Sequence, residues 1–305
     1  MTLRVLVACL SAVLLLATPA SAEKLKLVAS FSILGDMTAR IAGDRVELTT
    51  LVGPDGDAHV FEPTPADARA VAQAKIFLVN GLGFEPWADR LLKSTNSRAQ
   101  LAIASQNLKP LPFHAASHRE ESDGHGRTAP DPHAWQDVRN AMIYAQNIAR
   151  ALGAADKPNG EFYKANAAAY LAELAKLDAE IRAKLGAVPA ARRRVITTHD
   201  AFAYFGKAYG VEFIAPLGTS TDEQASAKEV AALITQIRRE KITAVFVENV
   251  SDPRLVEQIG RETGVKLGGK LYSDALSTKA GPAPTYIALM RHNAKRLTDA
   301  MAPGF

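Results

Sequence analysis

The feature that most constrains the fold of this chain is one long helical pattern near its middle. Apolar residues recur with helical spacing over roughly residues 159–185, between Pro158 and Gly186. At 1.5 Å per residue this helix would be roughly 40 Å long, enough to run the length of a whole domain. Its apolar face consists of Phe162, Tyr170, Leu174, Leu177, Ile181 and Leu185.

Short apolar strands alternate with amphipathic helices on both sides of this helix, which is typical of parallel βα units. The predicted strands are 25–29, 46–51, 76–80, 195–198, 243–247 and 265–272. The predicted fold class is therefore α/β, with two βα lobes that contain parallel sheets and are joined by one long rigid helix. The predicted divisions are a signal peptide (1–22), an N-terminal lobe (23–155), a connecting helix (156–188) and a C-terminal lobe (189–305).

The beginning of the chain has the features of a secretory signal peptide. Arg4 precedes a short apolar run, and Ala20-Ser21-Ala22 provides a cleavage site of small residues. A membrane-spanning helix would need about 20 apolar residues, and this run is shorter. Cys9 lies inside the run instead of ending it, so lipid attachment there is not expected. We expect an exported, soluble protein that begins at Glu23 and contains no cysteine.

The composition is typical of a folded, weakly basic protein. Hydrophobic residues make up 48% of the chain, which is enough to form a core, and the formal net charge is +4. The basic residues are scattered, and their tightest run, Arg192-Arg193-Arg194, precedes an apolar strand without interleaved aromatic residues. A nucleic-acid partner is therefore not expected.

Residues 104–132 interrupt the alternation of strands and helices. This segment is rich in proline and polar residues and has no apolar period, so we expect a mobile surface loop within the N-terminal lobe. The loop carries a group of histidines and acids that includes His114, His118, Asp123 and His125.

Four histidines lie outside this loop, and three of them stand at comparable places. His59 follows a predicted strand, His133 precedes a helix, and His199 ends a strand. Asp274 follows the last predicted strand in the same way. Because ligands of open α/β sheets bind outside the carboxyl ends of the strands, these four residues are candidate ligands. His292, on the last helix, is interpreted as an ordinary helix residue.

The four residue types are those that bind zinc. Imidazole nitrogen and carboxylate oxygen coordinate Zn²⁺ at about 2.0–2.2 Å in a tetrahedral arrangement. Such a site keeps a single positive charge and binds metal more weakly as the pH falls through the histidine range. Any one of these histidines alone would more often be a loop residue with an ordinary hydrogen bond. Further acids that could support the site, which the sequence does not rank, are Asp57, Glu62, Asp200 and Glu248.

Four stretches of the chain carry a family resemblance. They are GDAHVFEPTPAD (56–67), DPHAW (131–135), THDAFAYF (198–205) and YSDAL (272–276). Together they resemble the cluster A-I metal-binding proteins, the ZnuA- and TroA-like solute-binding subunits of bacterial zinc and manganese ABC importers. The resemblance covers essentially the whole mature chain and implies a metal site in the cleft between the lobes. The metal ligands that it implies are His59, His133, His199 and Asp274.

The resemblance also favours a zinc-type protein, because manganese-type members commonly carry Glu where this chain has His199. The chemistry agrees, since imidazole suits Zn²⁺ and oxygen donors suit Mn²⁺. The His- and acid-rich loop resembles that of zinc-type members, for which weak, transient capture of zinc is the expected role. A solvated loop without a metal function is the alternative.

The predicted function is high-affinity capture of Zn²⁺ in the periplasm and delivery to an ABC transporter permease. We expect a monomer, with a periplasmic zinc metallochaperone as a candidate second partner. A manganese-binding protein of the same family is the alternative. Rivals from other classes are an exported metal-scavenging protein or adhesin and a zinc hydrolase. An enzyme is not expected, because four protein ligands leave no open metal position and the chain has no His-Glu-x-x-His motif.

Overall fold

The computed structural model describes residues 24–112, 129–222, 226–240, 242 and 244–304. Within these ranges, no helix is long and apolar enough to cross a membrane. Predictions that lie outside the described residues concern the signal peptide (1–22), Cys9 and the loop residues His114, His118, Asp123 and His125.

The chain forms two parallel four-stranded sheets with helices, as predicted for an α/β protein with two lobes. The first sheet has the order β2-β1-β3-β4 and contains β1 (Leu25–Phe31), β2 (Val46–Val52), β3 (Ile76–Val79) and β4 (Gln100–Ile103). The second has the order β6-β5-β7-β8 and contains β5 (Arg194–Ile196), β6 (Glu212–Ile214), β7 (Ala244–Glu248) and β8 (Lys266–Leu271). In each sheet the strand order reverses beside the first strand, which creates a crevice at the carboxyl ends of the strands.

Helices connect the strands and cover the sheets. They are α1 (Ser32–Ala42), α2 (Pro65–Gln73), α3 (Ala88–Ser94), α4 (Val138–Ala155), α5 (Gly160–Gly186), α6 (Ala203–Tyr209), α7 (Ala227–Glu240), α8 (Arg254–Thr263) and α9 (Tyr286–Met301). Helix α2 begins with a capping box, since Thr64 accepts from the amide of Asp67 and Asp67 accepts from the amide of Thr64 at 2.7 Å. This pair satisfies amides that the first turn of a helix leaves unpaired.

Helix α5 is the predicted long connecting helix, and it is bonded to both lobes over its 27 residues. Arg40 of α1 pairs with Glu173 at 2.9 Å on the side of the first lobe. Arg182 donates to the carbonyl of Ala208 in α6 at 2.6 Å on the side of the second lobe. These contacts fix the distance between the lobes along one rigid element.

One hydrophobic core runs through both lobes and includes α5. The buried face of this helix matches the predicted face, except that Tyr163 is buried where Phe162 was expected and Phe162 lies on the flank. A smaller, separate cluster lies in the second lobe and consists of Ile196, Ile214, Leu233, Ile237, Ile242, Val245, Val256 and Ile259. Because the main core crosses the boundary between the lobes, separating them widely would expose apolar surface to water.

Two strands, β4 and β6, are absent from the sequence-based predictions. Both lie at sheet edges and contain only four and three residues. Each segment contains only a short apolar stretch, at 101–104 and 213–215. Their strand conformation depends on pairing with a central neighbour, which the local sequence does not reveal.

The described ends of segment 104–132 meet at one place. Pro112 and Pro130 form an isolated antiparallel bridge, and the hydroxyl of Tyr204 in α6 donates to the carbonyl of Asp131 at 3.0 Å. The two described ends of the segment therefore lie side by side next to α6 and form a narrow neck.

The basic run Arg192-Arg193-Arg194 has partners inside the fold. Arg192 donates to the carbonyl of Met301 at 2.6 Å, and Arg193 donates to the carbonyl of Val188 at 2.7 Å. Positive charge is favourable at the carboxyl ends of helices such as α9 and α5. The run thus stabilises two helix ends.

The central packing of α5 can be tested with Leu177→Ala, because Leu177 is fully buried in the shared core. We expect the free energy of unfolding to fall by about 2–5 kcal/mol, as for other large cavities in cores. Equilibrium urea denaturation measures this. The control, Lys176→Ala at the exposed neighbouring position, should change it by less than about 0.5 kcal/mol. Equally small losses in both variants would contradict the proposed packing.

Candidate metal centre

The four residues predicted as ligands converge at one point between the two sheets. His59, His133, His199 and Asp274 each offer one ligand atom, and these atoms all lie within 4.8 Å of one another. His59 follows β2, His133 precedes the turn into α4, His199 follows β5, and Asp274 follows β8. His133, His199 and Asp274 are fully buried, whereas His59 is partly exposed.

The distances between the ligand atoms suit one small cation. Nε2 of His59 lies 3.4 Å from Nε2 of His133 and 3.3 Å from Oδ2 of Asp274. Nε2 of His199 lies 3.1 Å from Oδ2 of Asp274, and Nε2 of His133 lies 3.6 Å from Oδ1. Ligands about 2.0–2.2 Å from a tetrahedral zinc ion would lie about 3.3–3.6 Å from one another. In addition, Oδ1 of Asp274 is buried without a hydrogen-bond donor among the described residues, as expected of an oxygen that a cation would satisfy.

In the first lobe, Asp131 orients the His133 ring. Its Oδ1 lies 2.8 Å from Nδ1 of His133 and accepts the His133 amide at 2.9 Å. A proton on Nδ1 leaves the lone pair of Nε2 directed at the cluster. Asn80, directly after β3, donates to the carbonyl of Pro132 at 2.9 Å and so fixes the loop just before His133.

A buried acid stabilises this end of β3. The Glu85 carboxylate accepts from the Ser30 hydroxyl at 2.6 Å and from the Asn80 amide at 2.7 Å. Burial raises the pKa of Glu85 to about 7, although these hydrogen bonds oppose the rise. Glu85 therefore ties together the ends of β1 and β3, from which the site is built.

His59 is held by its own loop and by aromatic packing. Its amide donates to Oδ1 of Asp57 at 2.9 Å, and its ring meets Phe84 at a centroid distance of 4.7 Å, close to edge-on. The indole of Trp87 donates to the carbonyl of Ala58 at 2.8 Å. The position of this ligand therefore depends on the backbone of the loop that carries it.

In the second lobe, Glu248 orients His199. Its Oε1 accepts the amides of Thr198 at 2.7 Å and of His199 at 2.9 Å, and its Oε2 lies 2.7 Å from Nδ1 of His199. Glu248 ends β7 beside β5, so the crevice between these two strands brings the pair together. The third imidazole is thereby aimed at the cluster through Nε2.

The next residue, Asn249, fixes the backbone on both sides of Asp274. Its Oδ1 accepts the amide of Ser273 at 3.3 Å, and its Nδ2 donates to the carbonyl of Ala275 at 3.2 Å. Consecutive residues at the end of one strand, Glu248 and Asn249, thus position both ligands of the second lobe.

The first lobe also holds the segment that carries Asp274. Trp135 and Gln136 both donate to the carbonyl of Ser273, at 3.0 and 2.8 Å. The hydroxyl of Ser32 accepts the amide of Leu276 at 2.9 Å. Asp274 belongs to the second lobe in sequence, yet its segment is bonded to the first.

The charges of the buried site are coupled. Burial alone would lower the pKa of His199, but Glu248 and Asp274 outweigh it and raise this pKa well above its usual range. Burial alone would raise the pKa of Asp274, but His199 and His133 lower it well below its usual range. Burial also raises the pKa of Asp200 beside the site to about 6, with a smaller contribution from Asp131. Without metal, an imidazolium at His199 compensates the Asp274 carboxylate.

Sequence reasoning considered Glu248 but could not rank it, and it missed the roles of Asp131 and Asn249. Asp131 offered one signal, since an acid two residues before a candidate ligand can reach both its amide and its ring. Asn249 offered none, because the partners through which it positions Asp274 are backbone atoms about 25 residues away.

The other residues considered from the sequence divide clearly. Asp57 contacts the His59 amide and Asp200 lies partly buried beside the site, whereas Glu62 is exposed. His292 lies elsewhere, and its Nε2 is 3.0 Å from the carbonyl of Lys270, as an ordinary helix residue would be.

Comparisons with known proteins agree with this geometry. The family model for the periplasmic zinc-uptake complex component A (ZnuA) matches residues 27–300. The chain belongs to this family. The manganese-binding lipoprotein MntA of Halalkalibacterium halodurans is 34% identical over 285 residues, which cover 93% of this chain and 91% of the relative. The iron ABC transporter substrate-binding lipoprotein MtsA of Streptococcus pyogenes serotype M1 is 32% identical over 290 residues, covering 93% and 91%.

A solved structure within the family has the same fold. The periplasmic zinc-binding protein TroA from Treponema pallidum superposes with a TM-score of 0.83 at 28% identity, covering 92% of this chain and 99% of that one. As a ZnuA/TroA-family protein, the chain is the metal-binding component of an ABC importer and not an enzyme. Such components deliver metal to the transporter permease. These relatives are named for different metals, so membership of the family does not by itself identify zinc as the bound metal.

Glu248→Gln tests whether this acid orients His199. The variant keeps the shape of the side chain but removes its charge, and we expect zinc affinity to fall about 10–100-fold, as for other carboxylates behind a metal-binding histidine. Competition with a chelator of known affinity measures this. Glu262→Gln, at an exposed position in α8, is the matched control and should bind like the wild type. An unchanged affinity in Glu248→Gln would remove the assigned role.

Proposed function

We propose that this chain captures Zn²⁺ in the periplasm with high affinity and delivers it to the membrane permease of an ABC importer. One observation carries the proposal: three imidazole nitrogens and one buried carboxylate meet at spacings that suit a tetrahedral cation. Zinc is the cargo, and it is bound and later released. The proposed ligands are His59, His133, His199 and Asp274.

The donor set supports zinc over manganese. Nitrogen donors from imidazole suit Zn²⁺, whereas Mn²⁺ prefers oxygen donors. His199 is the donor on which this choice depends, because it adds a third nitrogen. Manganese is the alternative cargo, because the relatives that are 34% and 32% identical to this chain are named for manganese and iron.

Four protein donors also argue against a zinc hydrolase, but they do not separate transport from scavenging. A zinc ion with four protein ligands has no position for an activated water, which a zinc hydrolase requires. A scavenging protein or adhesin would use the same site without a permease. Deletion of the neighbouring permease genes separates these two functions, because a scavenger would keep its zinc-dependent phenotype.

We infer that residues 1–22 direct export and are then removed. The mature protein would be a periplasmic monomer that begins at Glu23 and lacks Cys9. The mass of the mature protein distinguishes this from lipidation, which the names of some relatives indicate for them.

We infer that the loop between residues 104 and 132 has an accessory role. It would capture zinc weakly and transfer it to the main centre. A zinc metallochaperone is a second candidate for the protein that supplies zinc to this centre. The neck of the loop supports this role, because Asp131, which orients His133, directly follows Pro130 of the bridge. The loop residues assigned to this role are His114, His118, Asp123 and His125.

Metal competition tests the choice of cargo. We expect one Zn²⁺ per chain, bound at least about 100-fold more tightly than Mn²⁺, because nitrogen donors dominate the site. Isothermal titration with each metal, and with one metal displacing the other, measures this. His199→Ala should lose most of the zinc affinity, whereas the control His292→Ala should keep it. Tighter binding of Mn²⁺ would favour the alternative.

Zinc affinity should depend on pH through His199. The raised pKa of this residue means that a proton occupies its imidazole at neutral pH, and zinc must displace that proton. Zinc affinity should therefore rise about tenfold per pH unit as the pH increases from neutrality to the pKa of His199. It should fall correspondingly as the pH decreases below neutrality. Calorimetry in buffers of different ionisation enthalpy should detect one released proton per zinc. Absence of proton release at neutral pH would contradict this assignment.

A further inference from the structure

Two hydrogen bonds cross the cleft at its exposed rim, and both end on the same turn of the first lobe. The hydroxyl of Thr221 donates to Oδ2 of Asp57 at 2.5 Å. The amide of Asn249 donates to Oδ1 of Asp55 at 3.1 Å. We call these four residues, Asp55, Asp57, Thr221 and Asn249, the rim clasp.

Asp57 connects the rim clasp to a metal ligand. Its Oδ2 accepts the hydroxyl of Thr221 from the second lobe, while its Oδ1 accepts the amide of His59 at 2.9 Å. One carboxylate therefore bridges a side chain across the cleft and the backbone of the ligand loop. Loss of the Thr221 bond would free the carboxylate to rotate and would loosen the His59 amide.

His59 is the ligand that most needs such support. His133 and His199 are fully buried, and each has a carboxylate within 2.8 Å of Nδ1. Among the described residues, the carboxylate that His59 contacts is Asp274, through Nε2, and His59 is the one partly exposed member of the cluster. Its geometry therefore depends on its loop and on packing against Phe84.

We propose that Thr221 is a positioning residue that acts through Asp57 on His59 and thereby sets the residence time of the metal. The clasp joins the lobes, so it restrains the cleft and the His59 loop together. It should slow the release of a bound metal while leaving capture nearly unchanged. This inference rests on the proposed function, because it assumes that the cluster binds a metal.

The test compares Thr221→Val, which removes the hydroxyl but keeps the shape, with Thr221→Ser, which keeps the hydroxyl. A fluorescent chelator in excess reports the rate of zinc release, and stopped-flow mixing reports the rate of capture. We expect Thr221→Val to release zinc about tenfold faster, as for loss of a hydrogen bond to a charged group. Capture should change less than about twofold, and Thr221→Ser should restore slow release.

Thr235→Val is the matched control. The Thr235 hydroxyl donates only within its own helix, to the carbonyl of Ala231 at 2.9 Å, and it lies on the exposed face of α7. The Thr235→Val variant should release zinc at the rate of the wild type. The melting temperatures of all metal-free variants should also agree within about 2 °C, because surface changes alter stability little.

The possible outcomes separate the two proposals. If the wild type does not bind zinc, the proposed function fails. If the wild type binds zinc and Thr221→Val releases it at the wild-type rate, the proposed function stands and the positioning role of Thr221 is overturned. A release rate that rises equally in Thr221→Ser would also overturn it, because the hydroxyl would then not be the cause.

Discussion

The site depends on one buried charge, the carboxylate of Asp274. A fully buried carboxylate is very unfavourable unless positive charge and hydrogen-bond donors surround it. Here the surroundings are three imidazoles, and Oδ1 has no donor among the described residues. The protein can satisfy the carboxylate with a proton on His199 or with a metal dication. Metal and proton therefore compete for one place, and this competition couples cargo binding to pH.

Residues that are not candidate ligands themselves position the Asp274 carboxylate and the His199 imidazole. Glu248 and Asn249 end one strand and fix His199 and Asp274, while Trp135 and Gln136 reach across from the first lobe to the carbonyl of Ser273. The lobes are thus joined at the site itself as well as through α5. Some of the bonds between the lobes are therefore also bonds that position the segment carrying Asp274.

The sequence was sufficient to predict the parts of the structure that depend on local pattern. The central strands and α5 follow from apolar periodicity, and the convergence of the four candidate ligands follows from their places at strand ends together with a family resemblance. Edge strands β4 and β6 were not predictable, because they form by pairing with a neighbour. Asn249 and the Asp57–Thr221 bond were not predictable for a related reason: they join segments far apart in the chain, and hydrogen bonds to backbone or hydroxyl groups leave no mark in residue spacing.

Relatives with the same fold are named for manganese, iron and zinc, so the choice of metal must lie in a few atoms. The shared core and α5 fix how closely the two sheets approach, and this spacing suits any small divalent cation. At a given spacing, the donor atoms influence which cation is preferred, since imidazole nitrogen is a softer donor than carboxylate oxygen. Selectivity can therefore change by substitution at a strand end without altering the core, because the position of the donor is set by the crevice between β5 and β7.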